Sequence, residues 1–323
     1  MKAIVRTEYG PPSILTLEDL PKPEIKDDGV LIRLRSVSVN RSDWESLVGS
    51  PLYVRMDGLR HPKTRILGSD VAGTVEAVGQ GVTRFRPGDE VVGELMYHGS
   101  KGFAEYVAVS ERATLVTKPA GVTFAQAASI PQTGLIALQG IRAKGGLQPG
   151  ESLLIVGGGG GSGTLAIQMA KRIGARVTGV DNTSKLPTMR DVGADEVVDY
   201  TVDDYTKLGV RYDRILDLVG ARSLFANRRV LAERGVYLVV GGPVRRILGA
   251  AVLGKLVSVG RIGSMGVLMV RPNVVDLASL LEAVEARRID PVIERTYRLD
   301  ATPEALQKLG DNLARGKLVV GFE

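Results

Sequence analysis

The run from Ser152 to Asp181, SLLIVGGGGGSGTLAIQMAKRIGARVTGVD, sets five consecutive glycines between an apolar strand and an apolar helix, and closes on an acid after a second strand. Within it, Gly158-x-Gly160-x-x-Gly163 has the spacing of a dinucleotide fingerprint. Gly158 is expected to make the tight turn, Gly160 to admit the pyrophosphate, and Gly163 to let helix and strand pack closely. Ser152–Val156 reads as the strand before the turn, Thr164–Ile173 as the helix and Arg176–Val180 as the next strand. A flexible linker would not lie inside such a βαβ unit. The helix start, with Gly161 and Ser162 beside Gly163, offers backbone N–H groups and a positive dipole end to a diphosphate.

Asp181 falls where a carboxylate accepts hydrogen bonds from the adenosine ribose and repels a 2′-phosphate. Lys185 and Arg176 flank it with cations, and Asn182, Thr183 and Ser184 add neutral donors, so NADPH and NADH both remain open. A turn or helix cap is the plainer role for Asp181.

The 323 residues, 44% hydrophobic and free of low-complexity tracts, suffice for two domains with substantial cores. Apolar runs are too short for a membrane span and MKAIVRTEYG lacks a signal-peptide core, so a cytoplasmic location is expected. There is no cysteine, which removes disulfides, thiolate ligands and a cysteine nucleophile; His61 and His98, the only histidines, give a zinc centre little support. Both sit in hydrophilic stretches and read as solvated loop residues. The net charge of +6 suits phosphate-bearing cofactors. With 5% aromatic residues and no basic–aromatic interleaving, nucleic-acid binding is not expected.

The first 120 or so residues carry short alternating runs (3–6, 29–39, 70–78, 90–93 and 103–109) between Gly, Pro and Asp turns, a β-rich, barrel-like module. Helices are expected at 124–129 and 133–144. Beyond the glycine turn, strands at 196–200, 213–218 and 236–240 alternate with helices at 183–192 and 221–232, the pattern of a parallel sheet with helical crossovers. An extended run VIERTYRLD, a helix over 302–316 and a last strand KLVVGF complete the chain. A cleft between the β-rich and nucleotide modules is the expected ligand site.

Three further motifs precede the glycine turn in order: ILGSDVAGTVEAVGQGVTRFRPGDEVVG (66–93), GFAEYVAVSE (102–111) and KPAGVTFAQAASIPQTGLIALQGI (118–141). With them the chain resembles the medium-chain dehydrogenase/reductase superfamily, in its zinc-independent, quinone oxidoreductase-like branch, from Met1 to Glu323. Gly68-Ser69-Asp70 stands where zinc-dependent members carry Gly-His-Glu, and their cysteine ligand is absent. No metal site is expected. The resemblance implies an α/β chain with a GroES-like substrate domain (1–122 and 291–323) and a Rossmann doubly wound domain (123–290). It further implies NADPH or NADH as hydride donor, a quinone or α,β-unsaturated carbonyl as acceptor, and often a homodimer.

Hydride transfer from a nicotinamide asks the protein to position the ring, exclude water and stabilise negative charge on the acceptor oxygen. In SVNRSDW, the resemblance places Asn40 and Asp43 beside the substrate: Asn40 to donate to the acceptor oxygen or hold the backbone, Asp43 to orient a water or a tyrosine. Local capping is the alternative for each. Tyr53 falls where relatives place an aromatic or hydroxyl group over the substrate, and a phenol can donate to a developing oxyanion, or simply pack in its loop. Ser69 and Asp70 are weaker candidates, expected to support the strand that starts there. For the cofactor the resemblance points to Thr133 near the nicotinamide, Tyr200 near the adenosine phosphate end, Val219 and Gly220 after the fourth strand, and Gly241 and Gly242 after the fifth. Lys317 matches a Gly-Lys pair near the cofactor, with a solvent-facing role as the alternative.

Between Glu233 and Asp276 there is no acid, while Arg245, Arg246, Lys255, Arg261 and Arg271 punctuate an apolar stretch. Peripheral membrane contact through 244–272 is one reading, a dimer interface and cleft rim the favoured one. The leading functional reading is the quinone or enone reductase. A zinc-free alcohol or aldehyde dehydrogenase is its alternative within the enzymes, and a nucleotide-sensing or membrane-surface protein without turnover is the alternative outside them.

Overall fold

A computed structural model describes residues 1–258 and 263–322. The chain forms two compact units, 1–132 with 272–323, and 133–271. From sequence the divisions were expected at 122/123 and 290/291.

The first unit opens with β1 (Lys2–Val5) and β2 (Thr16–Asp19), which pair antiparallel. The long β3 (Gly29–Val39) follows, then α1 (Arg41–Val48), β4 (Asp70–Val78), β5 (Glu90–Glu94), β6 (Tyr106–Ser110), β7 (Thr114–Thr117) and α2 (Phe124–Ala128). Helix α3 (Pro131–Arg142) starts in this unit and continues into the second.

The second unit contains β8 (Ser152–Val156), α4 (Gly161–Ile173), β9 (Arg176–Asp181), α5 (Leu186–Asp191), β10 (Glu196–Asp199), β11 (Tyr212–Asp217), α6 (Leu224–Arg229), β12 (Leu231–Val239), α7 (Val244–Val257) and β13 (Ser264–Val267). Its six strands pair in the order β10-β9-β8-β11-β12-β13, every pair parallel. Strand order therefore reverses between β8 and β11, the switch point of a doubly wound sheet. Leu154, Val156, Val180, Ile215, Tyr237 and Val239 fill the core on that sheet.

The chain then returns to the first unit with α8 (Val274–Glu285), β14 (Ile293–Arg298), α9 (Thr302–Gly310) and β15 (Lys317–Gly321). The C-terminal strand β15 lies between β14 and β3, and the sheet continues through β4 and β5 to β7, with β6 also on β3. Strand β3 is buried at nine of its eleven positions, as a central strand covered on both sides should be. Ile32, Leu34, Val37, Leu47, Phe103, Leu115 and Leu318 belong to the core it organises.

Two expected helices are shorter than their sequence pattern. The one expected over 221–232 is six residues long, capped at Ser223 whose hydroxyl accepts from Ala226 N at 3.1 Å, because the following residues enter β12. The one expected over 302–316 stops at Gly310, which lies directly under the Trp44 indole, and Asn312 adopts the left-handed conformation (φ 59°).

Candidate active site

The glycine turn sits at the C-terminal end of β8, beside the switch point. The left-handed residue that makes the tight turn is Gly157 (φ 88°), one position before the expected Gly158. Gly158 packs closely for a different reason: a Cβ there would stand 2.6 Å from Met189 Sδ. At Gly163 a Cβ would collide with the carbonyl oxygens of Gly157 and Gly158, so helix and strand approach as the third fingerprint glycine allows. At Gly160, the N-cap of α4, a Cβ would meet only Gly157 O at 3.6 Å, which leaves room against the backbone. The helix begins at Gly161 and includes Ser162, three residues earlier than its apolar periodicity indicates. A Gly-rich turn with free space at a helix N-terminus fits a dinucleotide diphosphate.

Asp181 is buried and its carboxylate is turned onto the turn. Oδ2 accepts from Gly159 N at 3.0 Å and Oδ1 from Asn182 N at 2.9 Å. Lys185 is buried as well, its ammonium 3.5 Å from Asp181 and its stem against Gly159, where a Cβ would lie 3.0 Å from Lys185 Cδ. The pair thus braces the turn from beneath. Arg176 does not flank Asp181: it begins β9, which Asp181 ends, roughly 17 Å away along the strand. The Asn182 side chain is occupied with Ser184, accepting from its N at 3.1 Å and its Oγ at 2.7 Å. Thr183, Ser184 and the half-exposed Tyr200 are the accessible groups at these strand ends.

At the far side of the switch point, Val219 is partly exposed and Gly220 is left-handed (φ 64°). Both donate through their backbone N–H to Asp217 Oδ1, at 3.1 and 2.7 Å. Asp217 is fully buried and its other oxygen accepts from Tyr237 Oη at 3.0 Å; burial, the largest cause, raises its pKa. Gly241 and Gly242 close on this loop, with a Cβ on Gly241 standing 2.9 Å from Leu218 O and one on Gly242 colliding with Val219 O. Asp217 and Tyr237 escaped sequence reasoning, although an acid interrupting the apolar run ILDLV is the signal of a buried, hydrogen-bonded carboxylate. Thr133 is buried on α3.

In the first unit, the N-terminus of α1 is held by a buried polar cluster. Asn40 is its N-cap, and Asp43 Oδ2 accepts from Asn40 N at 2.9 Å while Oδ1 accepts from Gly68 N at 3.1 Å. Asn40 Nδ2 donates to Ser69 Oγ at 3.2 Å, and Asn40 Oδ1 accepts from Lys317 Nζ at 2.6 Å. Lys317 also reaches Val39 O at 3.2 Å and is buried, so the solvent-facing alternative for it is overturned. Asp70 Oδ2 accepts from Gln132 N at 2.9 Å. Ser38, Asp70 and Glu94 stand opposite one another across β3, β4 and β5, hence on one face of the sheet.

Three carboxyls and one ammonium are therefore buried together. Burial, the largest cause in every case, pushes Asp43 up to about 7 and raises Asp70 and Glu94. The negative charge of Asp70 pushes Glu94 further up, and the Lys317 cation opposes the rise at Asp43 and Asp70. Burial lowers Lys317 to about 8, against the attraction of Asp70 and Asp43. Ser38 Oγ and Glu94 Oε2 have no hydrogen-bond partner among the described residues. Glu94 was not foreseen, although it interrupts the apolar run VVGEL. Tyr53 stands apart from the cluster on an exposed turn (residues 52–57), its phenol 52% accessible as a residue and its pKa raised by partial burial and by Glu45. His61 and His98 are exposed.

Among the described residues, no three His, Cys, Asp or Glu side chains are arranged to hold a metal ion. Arg261, part of the basic apolar stretch, lies outside the described residues.

A GroES-like sheet, a parallel doubly wound sheet and a glycine turn at the switch point define a two-domain nucleotide-dependent oxidoreductase. The chain belongs to the medium-chain dehydrogenase/reductase superfamily, in the quinone oxidoreductase branch. Residues 26–139 match the alcohol dehydrogenase GroES-like domain and residues 192–320 the zinc-binding dehydrogenase family. Among curated proteins it is 32% identical to 2-methylene-furan-3-one reductase of Solanum lycopersicum, over 99% of this chain and 79% of that protein. It is likewise 32% identical to the chloroplastic NADPH-dependent alkenal/one oxidoreductase of Arabidopsis thaliana, with the same coverage. The solved quinone oxidoreductase of Coxiella burnetii superposes with a TM-score of 0.90 at 29% identity, covering 100% of this chain and 99% of that one.

Proposed function

We propose that the protein reduces quinones or α,β-unsaturated carbonyl compounds with NADPH or NADH and without zinc. The observation that carries this reading is the turn at Gly157–Gly163, which has space at Gly160 and opens onto a helix N-terminus beside the switch point. The relatives' names supply the substrate class, and the side chains present support the absence of zinc: Ser69, bonded to Asn40, stands where the resemblance would place a histidine ligand, and the sequence has no cysteine. A homodimer and a cytoplasmic location belong to the same proposal, the first on the resemblance, the second as the expectation for this sequence, while relatives include chloroplastic and mitochondrial proteins; no helix among the described residues is long and apolar enough to cross a membrane.

A bound reduced nicotinamide supplies the hydride. The chain's own contribution begins at Gly160, Gly161, Ser162 and Gly163, whose backbone would receive the diphosphate, with Asp181 and Lys185 holding the turn in shape. Val219, Gly220, Gly241 and Gly242 would give a bound cofactor a close backbone wall, and the resemblance alone adds Thr133, Tyr200 and Lys317 as candidate contacts. Asn40 and Asp43 act as positioning residues that fix the start of α1. Tyr53 is the candidate hydrogen-bond donor to the acceptor oxygen, since a phenol is protonated at neutral pH and partial burial and Glu45 displace its pKa further upward. Steady-state assays with matched quinone, enone and aldehyde panels and each nucleotide test the proposal. Quinone or enone turnover is expected; an aldehyde preference, or no binding of either nucleotide, overturns it.

A further inference from the structure

Asp217 ends β11 fully buried, and every oxygen it carries is engaged. Its Oδ1 accepts from the N–H groups of Val219 at 3.1 Å and Gly220 at 2.7 Å, and its Oδ2 from the hydroxyl of buried Tyr237 at 3.0 Å. Its backbone carbonyl accepts from Val240 N at 2.9 Å. Val219 and Gly220 follow β11, whereas Tyr237 lies in β12 and Val240 comes directly after it. One acid therefore fastens the loops that leave the C-terminal ends of two neighbouring strands.

A turn alone asks for less. An acid that caps the residues after it needs one oxygen and can keep the other in water, and taking a carboxylate fully out of water is costly. An apolar side chain in its place would leave two N–H groups and a tyrosine hydroxyl unpaired in the interior. The loops have little slack with which to make other bonds. Gly220 is left-handed (φ 64°), a Cβ on it would stand 2.8 Å from Gly241 O, and one on Gly242 would collide with Val219 O. A shift in either loop is thus passed to the other.

We infer that Asp217 is a positioning residue for the nicotinamide half of the cofactor, acting through the backbone of Val219, Gly220 and the loop after β12. The inference rests on the nucleotide-dependent reading above and adds to it a side chain that, being fully buried, touches neither cofactor nor acceptor. A doubly wound sheet takes one mononucleotide on each side of its switch point. The glycine turn and Asp181 sit at the ends of β8 and β9, the adenosine side, so the ends of β11 and β12 are left for the nicotinamide ribose and ring.

Calorimetric titration with NADPH, with NADH and with ADP, which has the adenosine half and no nicotinamide, tests it. Asp217→Ala should weaken both reduced nucleotides about tenfold or more, and ADP by less than about twofold. Asp217→Asn should restore binding to within about threefold of the parent, because its amide oxygen still accepts from Val219 and Gly220 and its nitrogen can donate to Tyr237. Gly220→Ala leaves the acid in place and strains the left-handed position, so it should repeat the Asp217→Ala pattern and serves where that variant does not fold. Reduced-nucleotide affinities within about twofold of the parent, in Asp217→Ala or in Gly220→Ala where only the latter folds, overturn the inference. So does an equal loss for ADP, the mark of a unit that is merely destabilised, and so does an Asp217→Asn as weak as Asp217→Ala. A parent protein that binds neither reduced nucleotide brings down the reductase reading itself, and the inference with it.

Discussion

At Asp181 a single side chain carries two readings that predict different losses. An acceptor for the ribose would discriminate between nucleotides, whereas the observed carboxylate spends its oxygens on Gly159 and Asn182 and is buried with Lys185. Asp181→Asn should therefore weaken NADH and NADPH by similar factors, about tenfold or more, because the turn proposed to receive the shared diphosphate loses a charge-assisted bond. Fluorescence titration with both nucleotides measures this, and a loss confined to NADH would restore the ribose role. Tyr53→Phe should lower kcat by about 10²-fold with little change in KM, the signature of a donor that acts in the transition state; a kcat within twofold of the parent would remove it from the mechanism. Residue types were legible from sequence where a motif fixes spacing, as at Gly160 and Gly163. Side-chain direction was not. Whether Lys317 faces water or Asn40 depends on β15 entering the middle of a sheet, a contact 277 residues apart in the chain.

The row Ser38, Asp70 and Glu94 across β3, β4 and β5 turns strand register into a titration property. A carboxyl whose pKa is higher in the folded than in the unfolded chain binds a proton preferentially when folded. Its contribution to stability is complete below about pH 4 and is lost as pH rises through the folded value, about 7 for Asp43. Lys317 has the opposite displacement, so the cost of keeping it charged is relieved only above about 8. Thermal stability should fall between pH 5 and pH 7.5, and Glu94→Gln should flatten that slope; melting curves at matched ionic strength check it, and an unchanged slope would show that Glu94 is not among the titrating groups. Elements with strict periodicity were legible, β3, β4, β8 and β9 among them. Helix α8 was passed over although Leu277, Leu280, Leu281 and Val284 have helical spacing and Asn273 caps it, accepting from Asp276 N at 2.8 Å. The short edge strands β7 and β13 hold four residues each, and their pairing is set by partners distant in sequence.

For the molecule as a whole, a ligand received by residues 133–271 should stabilise that unit. At a hundred times its Kd, a nucleotide adds about 2.7 kcal/mol, or about 5–10 °C in the Tm of a unit this size. Differential scanning calorimetry with and without NADPH and NADH reads the shift, and none with either nucleotide would leave the glycine turn without its ligand. The two units also differ in how the chain supplies them. The parallel sheet is drawn from one continuous segment, but the other sheet needs β15, which follows that whole segment in the chain. At about 5–20 residues per second, the 277 positions separating Asn40 from Lys317 take about 14–55 s to synthesise. Throughout that interval the continuous unit is free to close its core, while Asp43, Asp70 and Glu94 await the one ammonium buried with them. During synthesis the unit of residues 133–271 is thus complete before the unit that buries Asp43, Asp70 and Glu94.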